Sequence, residues 1–225
     1  MKRLFILALV FLSLSAFAQQ SYVPRYDAFT GFSYLNSPTL NLVGRGFNGE
    51  FGVNVTRWLA LGGDYSIFQG HSTLFPKDLT PALQQALAQQ LAGVPLPPGY
   101  VIQVPFDATT STYSAGPQFN YRHFSKVTLF ARPALGVLHE AVTATPSDPI
   151  QTAIVAGLVP SGKKSDTVVF YGVGGGFDIV PTKHVGLRVG FDFVHVNLFD
   201  GFLAEGRNSL RMSIGPTWRW GKSVE

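Results

Sequence analysis

Eight stretches of alternating apolar and polar residues predict an all-β chain folded as an eight-stranded antiparallel up-and-down barrel. Two further observations place that barrel in a membrane. Every charge in the eight stretches falls on one face, and the connections between them are alternately long and short. Composition agrees. Of 225 residues, 46% are hydrophobic and only 13% charged, whereas an average soluble domain carries about 25% charge. The 24 Gly and 15 Pro are too many for a helical bundle, and the absence of Cys excludes a disulfide framework or a thiolate metal site.

The chain opens with Lys2 and Arg3, a mostly apolar run at 4–14, and then Ala16-Phe17-Ala18. This is the pattern of a cleavable signal peptide over residues 1–18. The run is shorter than the ~20 residues of a spanning helix. The barrel domain then covers 19–225, and losing Lys2 and Arg3 lowers the formal charge from +4 to +2. Such a balance gives no case for a nucleic-acid partner.

The first alternating segment is 26–35. The second, 47–56, sets Phe47, Gly49, Phe51, Val53 and Val55 against Asn48, Glu50, Gly52, Asn54 and Thr56. In the third, 59–68, Leu59, Leu61, Gly63, Tyr65 and Ile67 oppose Ala60, Gly62, Asp64 and Ser66. The fourth, 110–122, opposes Tyr113, Ala115, Phe119 and Tyr121 to Thr112, Ser114, Gln118 and Asn120. The fifth, sixth and seventh are 127–138, 167–179 and 185–194. The eighth, 209–220, sets Leu210, Met212, Ile214, Trp218 and Trp220 against Arg211, Ser213, Gly215, Thr217 and Arg219. Gly174-Gly175-Gly176 falls inside the sixth, where glycine permits a bend or close packing and no helix follows to bind phosphate.

The polar face carries Asp27, Glu50, Asp64, Glu140, Asp178 and Asp192 with Arg122, Arg132, Arg188, Arg211 and Arg219. Six acids nearly balance five bases. A soluble barrel would turn this face outward, a membrane barrel inward. Connection lengths decide for the membrane. The turns at 56–58, 123–126 and 180–184 are short, and the loops at 39–45, 69–108, 141–166 and 197–207 are longer. Aromatics gather at the short-turn end, with Trp58, Tyr121, Trp218 and Trp220 as interface anchors beside Phe124 and Phe177. Eight strands leave an interior just wide enough for side chains. The expectation is therefore a lumen plugged by ion pairs, in which Arg132, Arg188, Arg211 and Arg219 meet Glu50, Asp64, Asp178 or Asp192. The alternative is a narrow channel along the same charges.

The second long loop predicts a helix from Pro81 to Ala92, with Thr80 as N-cap, Gly93 as terminator and Leu83, Leu87 and Leu91 on one face. It either packs over its own barrel mouth or docks an outside partner. Five His are too scattered for a metal centre. His71, His139 and His195 lie near the long-loop ends of non-adjacent strands, and His195-Val196-Asn197 lacks a nearby serine nucleophile. A membrane-embedded lipid-modifying enzyme is thus a second alternative, without an identified catalytic residue.

The last segment ends Ser213-Ile214-Gly215-Pro216-Thr217-Trp218-Arg219-Trp220. This resembles the terminal signal of bacterial outer-membrane barrels, here followed by five further residues. Residues 115–122, 130–136, 174–178 and 186–188 are similar, in order and spacing, to the OmpA-like family of small barrels. The resemblance covers roughly residues 26–221, the barrel alone, without that family's peptidoglycan-binding domain. It implies an outer-membrane protein with a structural or surface-interaction role, no enzymatic activity and no cofactor. It implies a monomer surrounded by outer-membrane lipid, with an extracellular partner for the long loops. It also implies that the barrel-assembly machinery reads Ser213, Gly215, Trp218 and Trp220.

Overall fold

The computed structural model describes residues 20 and 22–224, so the expected signal peptide lies outside the described residues. The alternating segments become β1 (Pro24–Ser37), β2 (Leu42–Asn54), β3 (Leu59–Leu74), β4 (Val104–Tyr121), β5 (Val127–Ala144), β6 (Lys163–Ile179), β7 (Val185–Val196) and β8 (Arg207–Ser223). Each pairs antiparallel with the next, and β8 pairs with β1, so the sheet closes with no free edge. Two loop helices follow, α1 (Pro81–Leu91) and α2 (Pro149–Leu158).

Burial runs opposite to that of a water-soluble protein. Phe47, Phe51, Leu61, Val173, Phe193 and Ile214 stand exposed, whereas Asp27, Glu50, Asp178, Asp192, Arg188 and Arg211 are buried. Along β8 the two classes alternate without a break from Arg207 to Trp220. Apolar residues outside and charges inside suit hydrocarbon around the barrel and polar side chains within.

Most strands are longer than their alternating segments, chiefly at the long-loop end. Residues 69–74 of β3 keep pairing with 104–109 of β4 although their side chains no longer alternate. Backbone pairing continues because each N–H and C=O needs a partner whatever the side-chain pattern. The first connection, expected at 39–45, shrinks to Pro38–Asn41, because 42–45 pair with 34–37. Asn41 takes a left-handed conformation there, with φ 49°. Conversely, β2 ends at Asn54 and β4 at Tyr121, so Val55, Thr56 and Arg122 belong to turns.

The helix expected at 81–92 forms, but neither terminal signal works as expected. Thr80 makes no side-chain cap, and the helix ends at Ala92 in an ordinary right-handed conformation, without a left-handed Gly93. The helix α2 was not expected from sequence. Its start is well specified: the Asp148 carboxylate accepts from the Gln151 N–H at 2.8 Å, and Pro149 opens the first turn.

The longest break in the wall lies between β4 and β5. Pairing of β4 with β5 stops after Ser114↔Gly136 and resumes at Phe119↔Ala131. Pro117 and Pro133 face each other within this gap, and neither has an N–H to donate.

Candidate functional site

The most densely connected polar cluster fills the middle of the lumen. Arg188, from β7, sits at its lower centre. Its guanidinium donates to Asp178 at 2.7 and 3.0 Å, to Glu50 at 2.6 Å and to Asp27 at 3.4 Å. Arg132, from β5, donates to the other Glu50 oxygen at 3.0 Å and to Asp192 at 3.1 Å through two nitrogens. Arg211, from β8, completes the set with Asp192 at 2.7 and 2.9 Å and Asp64 at 2.8 and 3.2 Å. Ser66 and Thr112 accept from Arg211 as well, and Ser114 bonds to Asp64.

All eight strands contribute a side chain to this cluster. Glu50 on β2 is held by arginines from β5 and β7, and Asp64 on β3 by one from β8. These bonds cross the lumen, whereas Arg188–Asp178 and Arg211–Asp192 join paired residues of adjacent strands along the wall. The Arg188 guanidinium also lies over the Phe29 and Phe130 rings, at 5.8 and 5.0 Å from their centroids. Three paired arginines face five carboxylates, counting Asp27. Arg122 and Arg219 supply the two remaining positive charges deeper in the lumen.

Arg219 departs from the expectation. It points inward and is buried, yet it makes no ion pair among the described residues. Arg188 already holds Asp27 and Asp178, the nearest acids on that level. Arg122 bonds instead to Asn54 at 2.8 Å and to the Arg57 carbonyl. The sequence reading missed Arg207 by placing it in a loop. It opens β8 and binds Glu140 at 2.9 Å, and the same carboxylate accepts from Thr110 at 2.8 Å.

Glycine makes room for the cluster. A Cβ on Gly174 would collide with the Asp192 carboxylate, which Arg132 and Arg211 hold in place. A Cβ on Gly116, on the same lumen wall, would meet nothing within 4 Å. Gly174→Val should therefore lower stability by about 1–3 kcal/mol, the usual cost of overpacking. Gly116→Ala should be neutral or slightly stabilising. Urea titration of the folded barrel in lipid vesicles checks both, and equal midpoints for the two variants would refute this account of the glycines.

The aromatics expected as interface anchors lie on the outer face at the short-turn end. Trp58 stacks on Phe119 with centroids 6.2 Å apart. Trp220 packs with Tyr26 and Phe51 at 6.0 and 6.2 Å, and Tyr121 stacks on His123 at 5.8 Å. Trp218 also faces outward, whereas Ser213 and Gly215 of the same strand face the lumen.

The histidines meet no catalytic arrangement among the described residues. His139 bonds to Thr167 at 2.7 Å, His195 to Asn208 at 2.8 Å and His184 to the Arg219 carbonyl at 3.2 Å. No group of potential metal ligands forms among the described residues.

Above the charge cluster the lumen becomes largely apolar, around the buried Arg207–Glu140 pair. Leu42, Phe106, Leu138, Phe170, Val196 and Phe199 are buried together there. The two loop helices close over them through Leu87, Leu91 and Ile154, so the α1 stripe packs on its own mouth. Tyr100 ties one loop to the other by donating to Asp148 at 2.9 Å. Desolvation and that carboxylate raise the Tyr100 phenol above its ordinary value.

Comparison with known proteins agrees with this architecture. The family described as outer membrane protein beta-barrel domain matches residues 4–211. No curated protein matches the chain in sequence. Among solved structures, Neisserial surface protein A is similar with TM-score 0.52 and 14% identity, over 87% of this chain and 96% of that one. The outer membrane protein OprG from Pseudomonas aeruginosa is similar with TM-score 0.52 and 10% identity, over 91% of this chain and all of that one. At such identities the likeness speaks for the fold alone. With its closed eight-stranded sheet, lipid-suited exterior and family match over most of its length, the chain belongs to the outer-membrane β-barrel domain family.

Proposed function

We propose that this protein is a non-enzymatic outer-membrane barrel with a structural or surface-interaction role, its lumen plugged by ion pairs. One observation carries the reading: Arg132, Arg188 and Arg211 each bridge carboxylates from different strands across the lumen. Ions paired and hydrogen-bonded in this way resist removal, because separating them leaves uncompensated buried charge. Proteoliposome swelling tests the plug. Vesicles carrying the barrel should admit arabinose no faster than protein-free vesicles, and rapid swelling would overturn it.

A small void beside the plug is the feature nearest to the channel alternative. It measures about 30 Å³ and is lined by Glu50, Asp64, Arg132, Arg188 and Gly116. A volume of that order holds a water or two but no continuous column. It makes the plug wet at its edge without opening it.

The remaining roles follow from the same reading. The protein is exported through its signal peptide, works as a monomer in outer-membrane lipid, and offers its long loops to an extracellular partner. Ser213, Gly215, Trp218 and Trp220 form the address for the barrel-assembly machinery. Replacing both rings, Trp218→Ala with Trp220→Ala, separates an address from a mere anchor. The variant should accumulate unfolded in the periplasm yet fold when diluted from urea into detergent. Normal outer-membrane levels in cells, or failure in both settings, would count against the address.

A further inference from the structure

We propose that the extracellular mouth binds a free fatty carboxylate, tail inward, in a cavity between the apolar upper lumen and α2. The cavity measures about 90 Å³ and its walls are almost wholly apolar, with Phe106, Val142, Ala144, Ile154, Leu158 and Phe202 among them. It is formed jointly by strand residues and loop helix, above the charged plug. Apolar cavities of this kind stay dry and take apolar guests, and an engineered one of ~150 Å³ holds benzene. This one is smaller, so it admits the end of a single alkyl chain and excludes a double-chain lipid.

Charge selects the headgroup. Lys164 is the one basic residue of the wall among the described residues. It pairs in register with Val142, whose side chain faces the cavity, and its ammonium lies over the Phe202 ring at 5.5 Å from the centroid. It forms no ion pair among the described residues. The acids beside it are already engaged. Glu140, which also lines the cavity, pairs with Arg207 through the oxygen that accepts from Thr110, and both Asp166 oxygens accept from backbone N–H groups, those of Thr167 and Phe199. An exposed, unmatched ammonium at the edge of an apolar cavity complements an amphiphile whose head is a carboxylate.

The test uses the full barrel in lipid nanodiscs with labelled methyl groups, titrated with decanoate, decanol or decyltrimethylammonium below their micelle concentrations. Decanoate should shift the Ile154, Val155 and Leu158 methyl resonances saturably, and bind about fivefold more tightly than decanol. That preference corresponds to about 1 kcal/mol, the scale of an exposed charge pair. Lys164→Gln should abolish the preference, bringing decanoate binding down to that of decanol. Ala144→Phe should abolish both by filling the cavity, with folding verified by heat-modified gel mobility. If that variant does not fold, Val155→Phe on the loop helix serves the same purpose. Absent or unsaturable shifts, equal binding of the cationic amphiphile, or an unchanged preference in Lys164→Gln would each overturn the proposal. So would contacts between nanodisc lipid tails and the Ile154 methyl without added decanoate, which would make the bilayer the source.

Discussion

Arg188→Leu should destabilise the barrel by about 3–5 kcal/mol, the cost of removing one partner from a buried ionic cluster. Arg188 is 3% exposed and holds Asp178, Glu50 and Asp27 together. Leucine keeps much of the volume but leaves those carboxylates to repel one another. Arg132 still covers one oxygen of Glu50, so the loss falls mainly on Asp178 and Asp27. Urea titration in vesicles reads the effect as a lower midpoint. Acid should narrow the gap between variant and wild type, because protonated carboxylates no longer need the arginine. A variant as stable as wild type at neutral pH would mean that the cluster is solvated and holds nothing together.

Val173→Arg should cost about 2–4 kcal/mol, and the effect should fall to about 0–1 kcal/mol for Ile179→Arg. Val173 is 66% exposed and lies midway along the outer face of β6, in register with Pro133 and Phe193. Ile179 faces the same way but ends the strand at the short-turn side. In water an exposed valine would tolerate arginine. In hydrocarbon the cost depends on depth, and it is this depth dependence that identifies the surrounding medium. Folding efficiency into vesicles measures it, and equal costs at the two positions would argue against a bilayer around this face.

Much of this was legible in the sequence because a strand exposes its environment with period two. Glu50, Asp64, Arg132, Asp178, Arg188, Asp192 and Arg211 could be placed inside from parity alone; each faces the lumen and is ion-paired, and all but the partly exposed Arg132 are buried. Which acid each arginine meets was not legible. That depends on how strands far apart in sequence face each other across the lumen, as with Arg188 and Glu50. Arg219 shows the consequence: its parity is right, but its acids are taken.

The upper third of the barrel escaped for a different reason. Phe68, Phe106 and Phe170 face inward there. An inward phenylalanine under a loop cap looks, in sequence, like an outward one facing lipid. Strand ends at that level, and with them Arg207, were lost for the same reason. The helix α2 could have been found, since Asp148-Pro149 followed by Gln151 is a start signal, although its body of small and apolar residues shows little amphipathic contrast.

The central claim is that charged side chains close the lumen, and single-channel recording in planar bilayers tests it most directly. The wild-type barrel should give no discrete steady openings at neutral pH. A variant lacking the crossing pairs, Glu50→Ala with Asp64→Ala, should open a small conductance if it folds, since both cross-lumen acids are gone. Stable, ohmic openings from the wild-type protein, unchanged in that variant, would contradict the account.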